Sequence, residues 1–210
     1  MAKKNKQSKS KKLNYLKAVV IVHGKSELQM CEFIKNNLRI KMGFISNNKG
    51  KSSIQISGLL KRLNGKDIKG FNSFRKKYED DIEIIDKKLL SNNFKIFTIM
   101  DTDDCSDEQR NNYKNKTMFK KHWAYDYICP IYNDSNLEEV LIKSDMKYKS
   151  KDSKEMKKKY IEIFPTDEKY IKSDTIQIEE FYQKLLKVKN ISNMHEFIKF
   201  CLENKSEFSR

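Results

Sequence analysis

Two short apolar runs decide the fold: KAVVIV at residues 17–22 and KIFTIM at residues 95–100. Both are rich in β-branched side chains and have few polar ones. This composition is typical of a strand in a parallel sheet that is buried on both faces. A third apolar segment, YDYICPIY at residues 125–132, has a similar character. We therefore predict that the first two runs form adjacent, parallel, buried strands of one sheet.

Helical patterns separate the predicted strands. After the turn HGKSE at residues 23–27, apolar residues recur at helical spacing, and Ser26 is a candidate N-cap. The helix-forming positions are Leu28, Cys31, Ile34 and Leu38. Another helix is expected to begin near Leu137, after the polar residues that follow the third strand. Strands that alternate with helices predict an α/β fold with a parallel, Rossmann-like sheet and right-handed crossovers.

Weaker patterns fill the remaining chain. Residues 39–45 alternate and predict a further strand, whereas residues 56–63 and 74–90 have helical spacing. We expect a disordered basic arm at residues 1–14, an α/β domain at 15–145 and a mainly helical extension at 146–210.

The charge of the chain permits two interpretations. The net charge is +15, but residues 1–17 contain seven lysines and no acid, so about half of this charge belongs to one segment. A lysine-rich, solvated surface is one interpretation, since the abundance of Lys, Asn and Ile is typical of an AT-rich genome. The other is a polyanionic partner, most simply RNA or DNA, whose phosphates basic arms bind with release of counterions.

Several classes of protein are disfavoured by the sequence. Apolar runs are far shorter than the roughly 20 residues that a membrane span needs, and the N-terminus lacks the apolar core of a secretory signal. The four cysteines are widely spaced and contain no CxxC pair, which argues against a zinc ribbon. We therefore expect a cytoplasmic protein with reduced cysteines and no membrane association.

Acidic residues follow the predicted strands. Asp101 and Asp103 come directly after the second apolar run, and Glu27 lies four residues after His23. Glu138 is at the start of the helix after the third strand. In parallel sheets ligands bind beyond the carboxyl ends of the strands, so these side chains are expected to converge. Alternatively, each acid complements the N-terminus of a helix or lies in a solvated loop.

Carboxylates that converge at a strand end would bind Mg²⁺ or Mn²⁺, which prefer oxygen ligands. The segment NKGKS at residues 48–52 does not match a nucleotide-binding P-loop, because Ile45 occupies the position of the required first glycine. Lys25, Lys49 and Lys51 are nevertheless candidates to bind the phosphates of a nucleic acid.

These motifs resemble the Toprim domain, a metal-binding α/β module of topoisomerases, primases and nucleases. In that family one strand ends in a Glu-Gly turn and a later strand ends in Asp-x-Asp. The corresponding residues here are His23-Gly24, with Glu27 following, and Asp101-Thr102-Asp103. The likeness spans residues 17–142 and is closer to the OLD-type and RloB-type proteins of bacterial phage defence. Glu138 resembles the glutamate of their Glu-x-Trp-Leu element, with Val140 in place of the aromatic residue.

The resemblance implies a divalent-metal-dependent nuclease that uses Mg²⁺ or Mn²⁺ and acts in antiviral defence, alone or in a larger complex. It implies that Glu27, Asp101, Asp103 and Glu138 bind metal. The departure is His23, which replaces the first glutamate of the turn. Histidine could act as a ligand or base and favour Mn²⁺, Glu27 could supply the missing carboxylate, or the activity could be lost. The alternative function is therefore a degenerate, non-catalytic module that binds nucleic acid or a partner protein.

Overall fold

The two apolar runs form neighbouring parallel strands, as predicted. The structure is a computed structural model that describes residues 15–86, 89–153, 158–164 and 174–206. The strands are β1 (Ala18–Val22), β2 (Met42–Ile45), β3 (Ile84–Asp86), β4 (Leu89–Leu90), β5 (Lys95–Asp101), β6 (Ile128–Asn133), β7 (Lys149–Ser153) and β8 (Lys158–Glu162). Four of them form a parallel sheet in the order β2-β1-β5-β6, in which Val22 lies opposite Ile99.

Helices cover both faces of this sheet. They are α1 (Lys25–Leu38), α2 (Ile56–Leu63), α3 (Phe71–Lys77), α4 (Asp107–Lys114), α5 (Leu137–Lys143), α6 (Asp174–Leu185) and α7 (Met194–Glu203). The short helix predicted at 56–63 and the helix predicted from Leu137 have the expected positions. The predicted α/β class with a parallel sheet between helices is confirmed, and the sheet is compatible with a Rossmann-like fold.

The pleat of β1 divides the core into two halves. Ala18, Val20 and Val22 pack with apolar residues of α1, α5, α6 and α7, whereas Val19 and Ile21 pack with those of α2, α3 and α4. All five residues are fully buried. Because successive side chains of a strand point to opposite faces, only a sheet covered on both sides hides all of them. This requirement explains the uninterrupted apolar run in the sequence.

The helix predicted at residues 74–90 is wrong over most of its length. Helix α3 ends at Lys77, and the antiparallel pair of β3 and β4 follows. The backbone pairs elsewhere instead, since Leu16 N donates to Asp81 O at 2.6 Å.

The part of the chain after residue 145 is only partly helical. Helices α6 and α7 are present, but β7 and β8 form an antiparallel hairpin that was not predicted. Lysine occupies many hairpin positions, and this composition obscured the alternation of a strand. Ile161 and Ile163 pack in the same core as α1, α6 and α7, so the described C-terminal residues share a core with the parallel sheet.

Other expectations concern the termini, the cysteines and the membrane. The arm predicted at residues 1–14 lies outside the described residues. All four cysteines are free thiols, and Cys31 and Cys201 are buried. Among the helices of the described ranges, none combines the length and the apolar character that a membrane span requires.

Candidate active site

Glu27 is held at the turn between β1 and α1. Helix α1 begins at Lys25 with Gly24 as its N-cap, so the predicted N-cap, Ser26, lies inside the helix. The side chain of Glu27 turns back toward the cap, where Gly24 N donates to Glu27 Oε2 at 2.9 Å. The Glu27 side chain is only 3 % exposed. The first turn of the helix therefore fixes a buried carboxylate beyond the end of β1.

Ser26 makes a contact that the sequence did not indicate. Its hydroxyl oxygen accepts a hydrogen bond of 2.9 Å from the backbone N–H of Ile161. This bond attaches β8 to the first turn of α1. The hairpin therefore forms one wall beside Glu27.

Asp101 is the last residue of β5, opposite Asn133 at the end of β6. The amide group Nδ2 of Asn133 donates to Asp101 Oδ1 at 3.0 Å. The backbone N–H of Leu137, at the start of α5, also donates to this carboxylate. Two neighbouring strand–helix junctions thus hold Asp101 by charge-assisted hydrogen bonds.

Glu27 and Asp101 influence each other's ionisation. The pKa of Asp101 is well above its usual range because of burial and then because of the negative charge of Glu27. Burial raises the pKa of Glu27, although the positive charge of His23 acts in the opposite direction. The negative charge of Asp103 adds to the increase in both pKa values. The ion pairs among the described residues involve neither Glu27 nor Asp101. Two carboxylates that repel each other therefore share one site.

A cavity of about 260 Å³ lies over this pair. Its wall contains three of the predicted carboxylates together with His23 and two of the predicted lysines. The lining residues are His23, Gly24, Lys25, Ser26, Glu27, Gly50, Lys51, Ser53, Asp101, Asn136, Leu137, Glu138 and Ile161. Of the remaining predicted residues, Asp103 and Lys49 are exposed and do not line the cavity.

The imidazole of His23 is oriented by the neighbouring chain. Its Nδ1 lies 3.0 Å from the backbone oxygen of Ile54. A carbonyl oxygen only accepts hydrogen bonds, so in the neutral ring Nδ1 carries the proton and Nε2 keeps its lone pair. Metal-binding histidines typically have this arrangement, in which the second nitrogen donates to a carbonyl. His23 is therefore suited to bind a metal through Nε2 or to accept a proton there.

The loop between β2 and α2 brings Lys51 to the cavity. Asn48, Lys49 and Gly50 all have positive φ values, of 46°, 56° and 82°. A Cβ atom at Gly50 would lie 3.0 Å from the Cα of Lys25, so only glycine permits this contact. The loop therefore packs against the first turn of α1, and Lys25 and Lys51 both lie beside the acidic pair.

The acidic pair is not a complete metal centre. Over the ranges that the structure describes, no three side chains of His, Cys, Asp or Glu are close enough to form one. The four predicted carboxylates therefore do not form one cluster there. Two carboxylates still fit Mg²⁺ or Mn²⁺, since Mg²⁺ is commonly held by one or two carboxylates, water and substrate phosphates. A cation would also relieve the repulsion between Glu27 and Asp101.

Sequence reasoning missed the residues that support Asp101 from a distance. Ser192 donates to Asn133, and Ser53 and Asn136 line the cavity. Ser192 lies 59 residues beyond Asn133, in a segment without any motif. Asn133 directly follows the third apolar segment, and this position is the signal in the sequence that could have pointed to part of the arrangement.

Comparison with known proteins found no matching family model, no matching curated protein and no matching solved structure.

Proposed function

We propose that this chain is a divalent-metal-dependent phosphodiesterase with a Toprim-like site that cleaves RNA or DNA. One observation carries the proposal: Glu27 and Asp101 lie together beyond the ends of adjacent parallel strands with raised pKa values, and the ion pairs among the described residues include neither of them. Unneutralised acidic groups in a cleft are typical of functional sites, because repulsion destabilises the folded chain unless a ligand compensates for it.

Each residue of the site has a definite role in this proposal. Glu27 and Asp101 hold Mg²⁺ or Mn²⁺, and Glu138, which is exposed on the cavity wall, and Asp103 complete the acidic surroundings. A bound ion activates water and stabilises the charge that develops on the phosphate. His23 accepts a proton at Nε2 or serves as a nitrogen ligand, which favours Mn²⁺ over Mg²⁺.

The basic residues support a nucleic acid as the substrate. Lys25 and Lys51 line the cavity that contains the acidic pair, and Lys49 is exposed on the adjoining loop. Lysines beside a metal site would neutralise the phosphates on either side of the scissile bond. A cytoplasmic role in phage defence, alone or in a larger complex, is part of the proposal because the motifs resemble those of the OLD-type and RloB-type proteins.

A second function is favoured by two specific observations. His23 replaces the glutamate that the Toprim-like turn would contain, and the described residues do not form a group of three metal ligands. A degenerate module that binds nucleic acid or a partner protein without cleavage would have these properties. The two functions differ in whether the acidic pair binds a metal.

The decisive experiment combines metal binding with cleavage. Wild-type protein and Asp101→Ala are incubated with single-stranded RNA, single-stranded DNA and duplex DNA in Mn²⁺, Mg²⁺ or EDTA. The phosphodiesterase proposal expects wild-type cleavage that requires metal and is lost in the variant. Binding of nucleic acid without cleavage, together with equal thermal shifts of both proteins in Mn²⁺, would favour the non-catalytic module.

A further inference from the structure

The chain that leads from α6 into α7 packs along the edge of the parallel sheet that β6 forms. Residues 191–194, here called the edge segment, lie beside this strand and include Met194, the first residue of α7. Asp134 N donates to Ile191 O at 2.7 Å, and Asn133 and Ser192 form an isolated antiparallel bridge. A C-terminal segment therefore covers the edge strand that also positions Asp101.

A buried chain of hydrogen bonds runs from the edge segment to Asp101. Met194 N donates to Ser192 Oγ at 3.0 Å, and Ser192 Oγ is 2.9 Å from Asn133 Oδ1. Asn133 Nδ2 then donates to Asp101 Oδ1 at 3.0 Å. Asn133 is 0 % exposed and Ser192 is 1 % exposed, so water does not compete for these groups.

The direction of these bonds is determined by the carboxylate at their end. An ionised carboxylate can only accept, so the NH₂ group of Asn133 faces Asp101 and its amide oxygen faces Ser192. The Ser192 hydroxyl donates to this amide oxygen, and the same Oγ accepts from Met194 N. In a flipped amide, an oxygen would face the carboxylate, and a buried pair of acceptors without a hydrogen between them is costly.

From this geometry we infer that Ser192 and Asn133 are positioning residues, which fix the Asp101 carboxylate in the orientation needed for a cation in the cavity. The inference rests on the proposed function, because it assigns Asp101 to a metal site. It also makes the edge segment a part of that site, although this segment lies far outside the residues that carry the sequence motifs. Partners of this kind, which orient a metal ligand, typically change metal affinity by 10- to 100-fold when they are removed.

Asn193 provides a matched control for this inference. Its side chain attaches the same edge segment to β6, since Tyr132 N donates to Asn193 Oδ1 at 2.8 Å and Asn193 Nδ2 donates to Pro130 O at 2.9 Å. These two hydrogen bonds do not involve the side chains of Ser192, Asn133 or Asp101. Ser192 and Asn193 therefore separate two effects: orientation of the carboxylate and attachment of the segment.

The test compares Ser192→Ala, Ser192→Thr and Asn193→Ala in the full chain. Mn²⁺ affinity is measured by the electron paramagnetic resonance signal of free Mn²⁺, and folding by circular dichroism. We expect Ser192→Ala to weaken Mn²⁺ binding about tenfold, whereas Asn193→Ala lowers the melting temperature but retains the affinity. Ser192→Thr keeps the hydroxyl, so the folded variant should bind Mn²⁺ with the affinity of the wild type. Unchanged affinity in Ser192→Ala, or equal weakening in folded Asn193→Ala, would overturn the inference.

A second measurement separates this inference from the proposed function. In metal-free protein, the side-chain NH₂ protons of Asn133 should exchange slowly with water and should exchange quickly in Ser192→Ala, as followed by NMR. If the wild type binds no Mn²⁺ but shows this dependence on Ser192, the metal site is refuted and the positioning of Asp101 stands. Fast exchange in the wild type would refute the positioning, whatever the metal affinity.

Discussion

Two aspartates at neighbouring strand ends have opposite electrostatic environments. Asp134 directly follows β6, and its Oδ1 lies 2.5 Å from Lys114 Nζ, which also lies 4.2 Å from the ring centroid of Tyr132. Asp101 ends β5 beside Glu27, and the ion pairs of the described ranges do not include it. A chain with 44 basic residues has ample means to neutralise an acid. The contrast supports the proposal, in which Asp134 stabilises the fold and the charge of Asp101 serves a ligand.

The sharpest test of this contrast is the loss of metal-dependent activity. Asp101→Asn removes a negative charge but retains an oxygen that accepts from Asn133. We expect it to abolish cleavage and the stabilisation by Mn²⁺, since an ion that binds only the folded protein stabilises it by mass action. Asp134→Asn is the matched control and should retain both. Equal loss in the two variants would mean that these aspartates do not differ in function.

The same two variants should change stability in opposite directions without metal. The folded-state pKa of Asp101 is raised, so its charged form destabilises the fold, and this cost appears as the pH rises through that pKa. Asp101→Asn should therefore melt above the wild type at pH 8 in EDTA, with the difference shrinking as the pH falls toward 4. Asp134→Asn should melt below the wild type. Thermal denaturation across this pH range measures both effects, and a lower melting temperature for Asp101→Asn at pH 8 would contradict the repulsion.

A smaller effect is expected from the partner of Asp134. Lys114→Met removes a partly buried ion pair and a cation–π contact, and it should lower the free energy of unfolding by about 1 kcal/mol. Urea denaturation measures this change, and cleavage should persist in the variant. A loss of activity without a loss of stability would assign Lys114 to the site instead.

The smallest effect concerns the basic loop beside the acidic pair. Lys51→Ala should weaken nucleic-acid binding severalfold and reduce the slope of log affinity against log salt by about 1, because one phosphate contact is lost. Lys61→Ala, on the exposed surface of α2 and outside the cavity, is the control. Fluorescence anisotropy with labelled RNA and DNA checks both variants. Identical slopes would show that charge near the cavity has no special role.

Local patterns predicted the central elements and failed where the partner of a segment lay far away. The runs before His23 and Asp101 are apolar throughout because both faces of their strands are covered, and this requirement is visible in any single strand. The β7–β8 hairpin has no such pattern, because its register depends on pairing between two lysine-rich strands and on the contact of Ile161 with Ser26. Residues 74–90 have helical spacing, but the backbone of Asp81 pairs with Leu16 instead.

In the candidate site, too, some features could be predicted from local sequence and others could not. The sequence by itself determined which acids follow buried strands, because Asp101 and the turn at His23–Glu27 are adjacent to unmistakable apolar runs. Only the tertiary structure decided which acids meet: Glu27 and Asp101 share a cavity, Asp134 is paired with Lys114, and Asp103 remains exposed. It also decided that Ser192 supports Asp101 through Asn133. The physical reason is that a strand end fixes where a side chain begins, whereas its neighbours come from distant segments whose packing leaves no local trace in the sequence.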